Sequence, residues 1–350
     1  MSGVYDVLVQ KHFKSNEERI YDLKTIYYED DKIENMLCSL LKNKWKVKNT
    51  FLEHIEHLQT NQTRGKKYPL LQSDFYDFLV ENVNHIEAIF KEHEEEQSFT
   101  LSYFGLETLQ NKYLLKTHDG YQENLEYFWM RIAAFLHCED WDAVSATYLD
   151  LKKGNYTHAT PTLFNAGTRS HQMASCFLLG TADNLDSIFE SISDCAKISK
   201  FSGGIGLHIH DIRPANSYIY GTNGSSNGII PMLKVYNDTA RYIDQGGGKR
   251  NGAFAVYLEP WHADVLDFLY LKKNIGSDEI RARDLFYSLW LPDIFMDCVE
   301  KNKPWYLMNP AECIGLSDAW GVQFAELYYG YVEKKMYVKE MSARELWIEI

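Results

Sequence analysis

Residues 175–212, SCFLLGTADNLDSIFESISDCAKISKFSGGIGLHIHDI, carry the pattern from which the fold of this chain is read. SCFLLG is a short apolar run bounded by small residues, which predicts a strand. Behind it apolar side chains recur at Leu185, Ile188, Phe189, Ile192, Cys195 and Ala196, the three-or-four spacing of a helix over 184–199. A second strand is predicted from Ile205 to Ile212. The alternation continues with a helix near 230–243, a strand near 253–258, a helix from about Pro260, a strand near 285–291 and a helix after Pro292. Repeated strand–helix units imply a mainly parallel sheet or barrel, with functional loops at the C-terminal ends of its strands. No internal sequence repeat accompanies them.

Upstream the pattern is helical. From Ser73, a predicted N-cap, apolar residues at Phe75, Leu79, Val83, Ile86 and Phe90 mark one buried helix face, closed by the acidic tract Glu92 to Glu96, which reads as a solvated linker. Further helices are predicted over 122–137 and 141–153, the latter stopped by Gly154. Residues 1–66 are weakly patterned, hold the charged run KNKWKVK at 42–48, and read as helices ending in the turn-like NQTRGKK.

Composition narrows the class. A chain of 350 residues with 45% hydrophobic and 14% aromatic content has material for a sizeable core and for two domains, or one and part of another. No run reaches the ~18 apolar residues of a membrane span, and the N-terminus has no apolar stretch behind a basic one, so no membrane and a cytoplasmic setting are expected. Six cysteines lie far apart without CxxC spacing, against a disulfide scaffold or a zinc ribbon, and most are expected to be buried thiols. A net charge of −13 disfavours a surface that coats a nucleic acid polymer, although a single nucleotide needs only a local basic pocket.

Several residues carry candidate chemistry. Cys176 sits mid-strand with Leu178 on its own face and Ser175 and Phe177 on the other, so by geometry it is either core or site lining. Thr160 and Ser175 are short hydroxyls that can donate and accept, but taken alone they read as ordinary turn or cap residues. In KFSGGIG, Lys200 stands near Gly203, Gly204 and Gly206, where backbone N–H groups can approach phosphate oxygens, although the pattern alone favours a plain turn and the dinucleotide pattern fails at Ile209. Asp183 can cap the following helix. The loop DQGGGKRNG, 244–252, is glycine-rich and cationic but is no Walker A motif, since Ile243 and Arg250 stand where glycine and serine or threonine are required. His208 and His210 share a strand face without carboxylate or cysteine partners, which favours structure over metal, and Trp261 and His262 read as packing at a helix start with Pro260 near N1.

Taken together, NYTHATPTLFNAGTRSHQMASCFLLGT (155–181), SGGIGLHIHDIR (202–213) and DQGGGKRNGAFAVYLEPWH (244–262) resemble the large, catalytic subunit of ribonucleotide reductase. The resemblance runs from about Ser98 to Ile350, with weaker traces back to Tyr68. It implies an α/β fold: a helical region over 67–174, then the first half of a ten-stranded α/β barrel over 175–350, behind a divergent segment 1–66 in which no ATP-binding cone, and so no overall activity control, is recognised. It implies that Cys176 is one of a redox pair supplying two electrons as the ribose 2′-hydroxyl leaves, and that Thr160 and Ser175 bind substrate, joined by Gly204 of the glycine turn. Asp183, Lys200, Arg213, Ser226 and Asn227 fall at an allosteric site for a nucleoside triphosphate (ATP, dATP, dTTP or dGTP, with magnesium), a carboxylate suiting the ribose hydroxyl and the cations suiting phosphate. Asp244, Gln245, Gly246, Lys249 and Arg250 belong to a specificity loop between effector and substrate base, from whose usual pattern Gly248 and Asn251 depart.

The reaction implied is reduction of ribonucleoside diphosphates to deoxyribonucleoside diphosphates by thiol-based radical chemistry. No cofactor or metal would be bound directly. The radical would come from a metal-containing small subunit, the electrons from thioredoxin or glutaredoxin, and a homodimer would form through helices 184–199 and 229–243. The family's radical cysteine lies in an Asn-x-Cys-x-Glu motif that these residues lack, and the last of them fall inside a helical pattern, so the chain reads as a fragment that binds nucleotide without turnover. An adenosylcobalamin-dependent reductase shares the barrel, but LEPWHADVLDFLYLKKN (258–274) and NGIIPMLKVYNDTARYIDQGG (227–247) favour the partner-dependent class. A nucleotide-binding regulatory or scaffolding paralogue is the non-enzymatic alternative, and the failed Walker pattern disfavours a nucleotide kinase.

Overall fold

The computed structural model describes residues 35, 38, 39, 41, 50–244 and 252–350. Gln245, Gly246, Gly248, Lys249, Arg250 and Asn251, the run KNKWKVK and most of the segment read as 1–66 lie outside the described residues. The chain divides into two compact units, one up to Met173 and one from Ala174.

The first unit is helical apart from a two-stranded ribbon, β1 (Gln62–Thr63) with β2 (Lys66–Lys67). Helix α1 (Phe51–Gln59) is capped by Thr50, whose hydroxyl accepts the Glu53 N–H, and buries Phe51, Ile55 and Leu58. The face predicted from Ser73 is split between α2 (Ser73–Glu81) and α3 (Val83–Glu92). The break falls at Asn82, whose side-chain amide donates to the Phe78 carbonyl and competes with the helical ladder. Gln72, not Ser73, holds the N-cap position. The acidic tract is partly engaged, since Glu96 pairs with Lys153 at 2.9 Å.

After α4 (Tyr103–Thr108) and a π-turn come α5 (Leu125–His137) and α6 (Trp141–Lys153). Asp140 caps α6 by accepting from the Ala143 N–H, and Gly154 ends it in the left-handed conformation at φ 72°, as its position predicts. Helix α7 (Thr160–Asn165) follows. Arg131 of α5 is fully buried, paired with Glu123 through Nε–Oε1 at 2.8 Å and Nη2–Oε2 at 3.0 Å, and also donates to the Leu163 and Ala166 carbonyls at the end of α7. The buried pair therefore holds the short helix that begins at Thr160.

The second unit is the predicted α/β alternation. β3 (Cys176–Gly180), α8 (Leu185–Lys200) and β4 (Gly204–His208) form the first unit of the pattern, with Asn184 rather than Asp183 capping α8 through the Ser187 N–H. A hairpin, β5 (Ala215–Ile219) with β6 (Gly224–Asn227), intervenes before α9 (Ile229–Asp244) and β7 (Ala253–Leu258). Then come α10 (Val265–Tyr270), β8 (Phe286–Leu289), α11 (Asp293–Glu300), β9 (Pro304–Leu307), α12 (Gly321–Glu333), β10 (Lys339–Ser342) and α13 (Ala343–Glu349). Strands β3-β4-β7-β8 pair in parallel in that order, while β9 and β10 pair antiparallel.

Two boundaries differ from the sequence reading. The strand expected to reach Ile212 ends at His208, and the helix expected from Pro260 begins only at Val265. Residues 259–264 instead make a tight turn, with the His262 N–H on the Glu259 carbonyl and the Ala263 N–H on the Met308 carbonyl.

Alternation gives the sheet two unlike faces. Ile205, Leu207, Phe254, Val256 and Leu258 are buried in the core with Ile192 and Cys195 of α8 and Leu233 and Tyr236 of α9. Cys176, Leu178 and Gly180 of β3, His208 of β4 and Phe286 of β8 lie exposed on the other face, Leu178 at 89% exposure. The helices cover one face and leave the other open.

Candidate functional site

Cys176 and Gly204 stand on the open face at the starting edge of the strands, not at the C-terminal ends where the α/β pattern alone places function. Cys176 is the first residue of β3 and pairs with Gly204, the first of β4, which pairs with Ala253, the first of β7. The Gly204 N–H bonds the Ser175 carbonyl at 2.8 Å, locking the start of β3 to β4, and Ser175 Oγ lies 3.6 Å from Cys176 Sγ. A Cβ on Gly204 would meet only the Ser175 carbonyl oxygen, at 3.4 Å, so the missing side chain leaves space beside the thiol.

Cys176 differs from the buried thiols. Burial pushes Cys195 up to about 12 and Cys313 up to about 11, so both stay protonated and inert. Cys176 is exposed and free. Of the six cysteines, three are buried rather than most, and Cys138, also exposed, belongs to the helical unit.

Thr160 is the first residue of α7 in the helical unit, where Tyr113 Oη lies 3.2 Å from its hydroxyl. It lines a cavity of about 560 Å³ with Phe99, Tyr113, Trp129 and His158. Burial lowers the His158 pKa, and its Nε2 is buried without a hydrogen-bond partner among the described residues. Tyr113 was not singled out in the sequence, where nothing in LQNKYLL marks it.

The effector-type residues gather beyond the opposite, C-terminal edge. Asp183 and Arg213 meet, Nε to Oδ2 at 2.5 Å, both partly exposed. The hairpin begins two residues after Arg213, and Ala215 pairs with Asn227, which brings Asn227 back to its base. Ser226 Oγ accepts the Gly228 N–H. Lys200 is not with them. It ends α8, whose 16 residues rise about 24 Å, while Asp183 precedes the start of that helix. Asp244 closes α9, likewise a helix length from the hairpin.

At that same edge His208 and His210 stack at 5.2 Å. Burial, with His208 and His262 adding to it, pushes His210 down to about 3. Among the described residues no group of histidine, cysteine or carboxylate is placed to hold a metal ion. Burial, reinforced by Asp211 and opposed by the Trp261 indole N–H at 2.6 Å, pushes Glu259 up to about 7. His262 and Asp264, read or passed over as packing, prove to be hydrogen-bonding groups. The available signal was the pair of ionisable residues in an otherwise apolar run, WHADVL.

The fold and site define a helical unit joined in sequence to a parallel α/β unit with one thiol on an open sheet face and an acid–base pair past the opposite edge. Residues 174–350 match the family model for the ribonucleotide reductase barrel domain, and residues 99–171 match that for the ribonucleotide reductase all-alpha domain. The chain belongs to the ribonucleotide reductase large-subunit family. It is 50% identical over 288 residues to the ribonucleoside-diphosphate reductase large subunit of Plasmodium falciparum, covering 82% of this chain and 35% of that protein. It is 48% identical over 307 residues to that of Arabidopsis thaliana, covering 87% and 37%, and 47% over 304 residues to that of Monkeypox virus, covering 86% and 39%. The chain thus spans a little over a third of the length of these relatives. No helix among the described residues is long and apolar enough to cross a membrane.

Proposed function

We propose that this chain serves in the reduction of ribonucleoside diphosphates to deoxyribonucleoside diphosphates, under specificity control by a nucleoside triphosphate. The observation that carries the reading is Cys176 on the open sheet face, beside the Ser175 hydroxyl and the bare backbone of Gly204. Ser175 can hydrogen-bond a ribose hydroxyl as donor or acceptor. Cys176 then gives up its thiol proton and, with a second thiol, two electrons. The 2′-hydroxyl leaves as water, the carbon it leaves is reduced, and the two sulfurs become a disulfide that thioredoxin or glutaredoxin re-reduces. A metal-containing small subunit supplies the radical that opens the sequence. A cytoplasmic setting suits chemistry that needs reduced thiols.

At the other edge, Asp183 suits an effector ribose hydroxyl and Arg213 its phosphates, with the hydroxyl of Ser226 and the amide of Asn227 as further polar groups of the same reading. Magnesium would accompany ATP, dATP, dTTP or dGTP there. Because Lys200 and Asp244 close α8 and α9, a helix length from Asp183 and the hairpin, one chain does not bring them to the same nucleotide. A second copy running antiparallel along α8 and α9 can. Those helices pack side by side through Ser191 and Tyr236, and leave Leu185, Phe189, Val235 and Tyr242 exposed, an apolar face that suits a homodimer.

The test replaces Cys176 by serine in the assembled reductase, supplied with a small subunit, a dithiol reductant and effector. Loss of deoxyribonucleotide formation with retained substrate binding is expected. Undiminished turnover overturns the reading, as does turnover that needs adenosylcobalamin and no small subunit. Effector binding without any turnover by the assembled protein would instead mark a regulatory paralogue.

A further inference from the structure

The turn His262–Ala263–Asp264 holds the base of the effector hairpin. Asp264 is 6% exposed and stands at the N-cap position of α10, yet its carboxylate makes no bond to that helix. It accepts the Ala215 N–H on both oxygens, at 3.1 Å each, and the Ile229 N–H on Oδ2 at 3.1 Å. Ala215 opens β5 and Ile229 opens α9, so one carboxylate ties together the two ends of the excursion.

His262 secures a third point. It is fully buried, and its Nδ1 accepts the Asp264 N–H at 3.0 Å, which leaves Nε2 as the protonated nitrogen donating to the Ile212 carbonyl at 2.7 Å. The backbone on both sides of 213–228 is therefore fastened to a single turn that continues from β7. That turn is itself pinned where the Ala263 N–H donates to Met308, and where the Trp305 indole donates to the Pro260 carbonyl. Gly228 completes the closure. At φ +73° it adopts the left-handed conformation, and a Cβ there would run into the Asp264 carboxylate and the Ala215 nitrogen.

We propose that Asp264, oriented by His262, is a positioning residue for effector recognition. By closing the hairpin base it sets the spacing between Arg213, which precedes β5, and Ser226 and Asn227, which end β6. The proposal rests on the reading of 213–227 as an effector site. The excursion carries three residues of that site, and a carboxylate that accepts from two backbone N–H groups, Ala215 at its start and Ile229 just past its end, fixes its base before the nucleotide arrives.

The amide variant keeps the shape and turns one accepting oxygen into a donor that faces N–H groups. Asp264→Asn should weaken dTTP binding to the chain at least tenfold while the unfolding midpoint of the nucleotide-free protein moves little. Because Arg213 is then misplaced relative to the hairpin, the preference for dTTP over deoxythymidine should shrink as well, a ratio that a merely structural role would leave alone. Arg213→Ala serves as the control for the effector reading. If Arg213→Ala loses binding while Asp264→Asn binds dTTP as wild type does, the clamp is overturned and the effector site stands. If Arg213→Ala also binds normally, the effector reading itself fails. Should Asp264→Asn not fold, Gly228→Ala presses on the same closure from the hairpin side, and unchanged dTTP affinity in that variant overturns the proposal.

Discussion

Replacing Arg131 by methionine should destabilise the helical unit strongly, and by a pH-dependent amount. Glu123 has no exposed surface and is met by Arg131 through two charged hydrogen bonds, by the Leu115 N–H at 3.1 Å, and by His54 Nε2 at 3.7 Å. Burial alone would raise its pKa, but Arg131 and His54 outweigh it and hold the carboxyl down at about 2, while burial keeps the His54 pKa low. Removing the guanidinium leaves a buried charge with a weak partner, which costs about 3–5 kcal/mol. Set against a total stability of about 5–15 kcal/mol, that is a large fraction.

The sign of the pH effect follows. In the wild type the depressed carboxyl contributes stability above its unfolded value and loses it only as pH falls toward 2. In Arg131→Met burial raises the same pKa, so the variant is worst at neutral pH and recovers as acid protonates Glu123. Urea unfolding at pH 8 and pH 5 should show a larger deficit at pH 8, and Glu123→Gln combined with Arg131→Met should regain part of it. A deficit under about 1 kcal/mol at pH 8, or one equal at both pH values, would refute the argument that the pair neutralises a buried charge.

Other expectations concern the second unit. Loss of turnover in Cys176→Ser and loss of dTTP affinity in Asp264→Asn are stated above with their assays. A thiol-specific reagent applied to the native chain should label Cys138 and Cys176 quickly, and Cys195 and Cys313 only after denaturation, since burial holds the latter two at about 12 and 11. Rapid native labelling of Cys195 would contradict its place in the core. Glu259, raised by burial to about 7, is protonated in the fold below that value, so its contribution to stability is lost as pH rises through about 7. Glu259→Gln should therefore gain stability relative to wild type between pH 5 and pH 8, and thermal unfolding at the two pH values measures the sign.

Much of the fold could be read in advance because its signals are local. Helix α6 has Asp140 and Gly154 at its ends, and β7 alternates in a run of six residues, so each states its own period and limits. Helices α8 and α9 show apolar spacing that only a covered face needs. Where the reading failed, a competing local interaction or a distant partner was responsible. Asn82 breaks a continuous apolar stripe by bonding the backbone behind it. The hairpin β5–β6 is polar, carries a register shift between Ala215 and Tyr218, and gives no alternation to detect. β9 finds its partner in β10 across an intervening helix, a pairing that no local pattern encodes.

The site divides in the same way. Motif strings placed Cys176, Ser175, Gly204, Asp183 and Arg213 as residues of interest, and two-residue periodicity put Cys176 and Leu178 on one face. Which face the helices would cover depends on where α8 and α9 pack, and only the assembled sheet shows the thiol on the open side. That Cys176 and Gly204 stand together at the starting edge, while Asp183 and Arg213 follow the ends of β3 and β4, comes from the parallel register, which no single strand contains. His262 and Asp264 gain their roles from backbone groups 35 to 50 positions earlier. Sequence alone determined the strand–helix alternation of the second unit, several helices of the first and the family, because apolar period and motif spacing are written along the chain. Tertiary structure decided exposure, edge and hydrogen-bond partner, because each of these is a relation between segments that meet only after the chain has closed on itself.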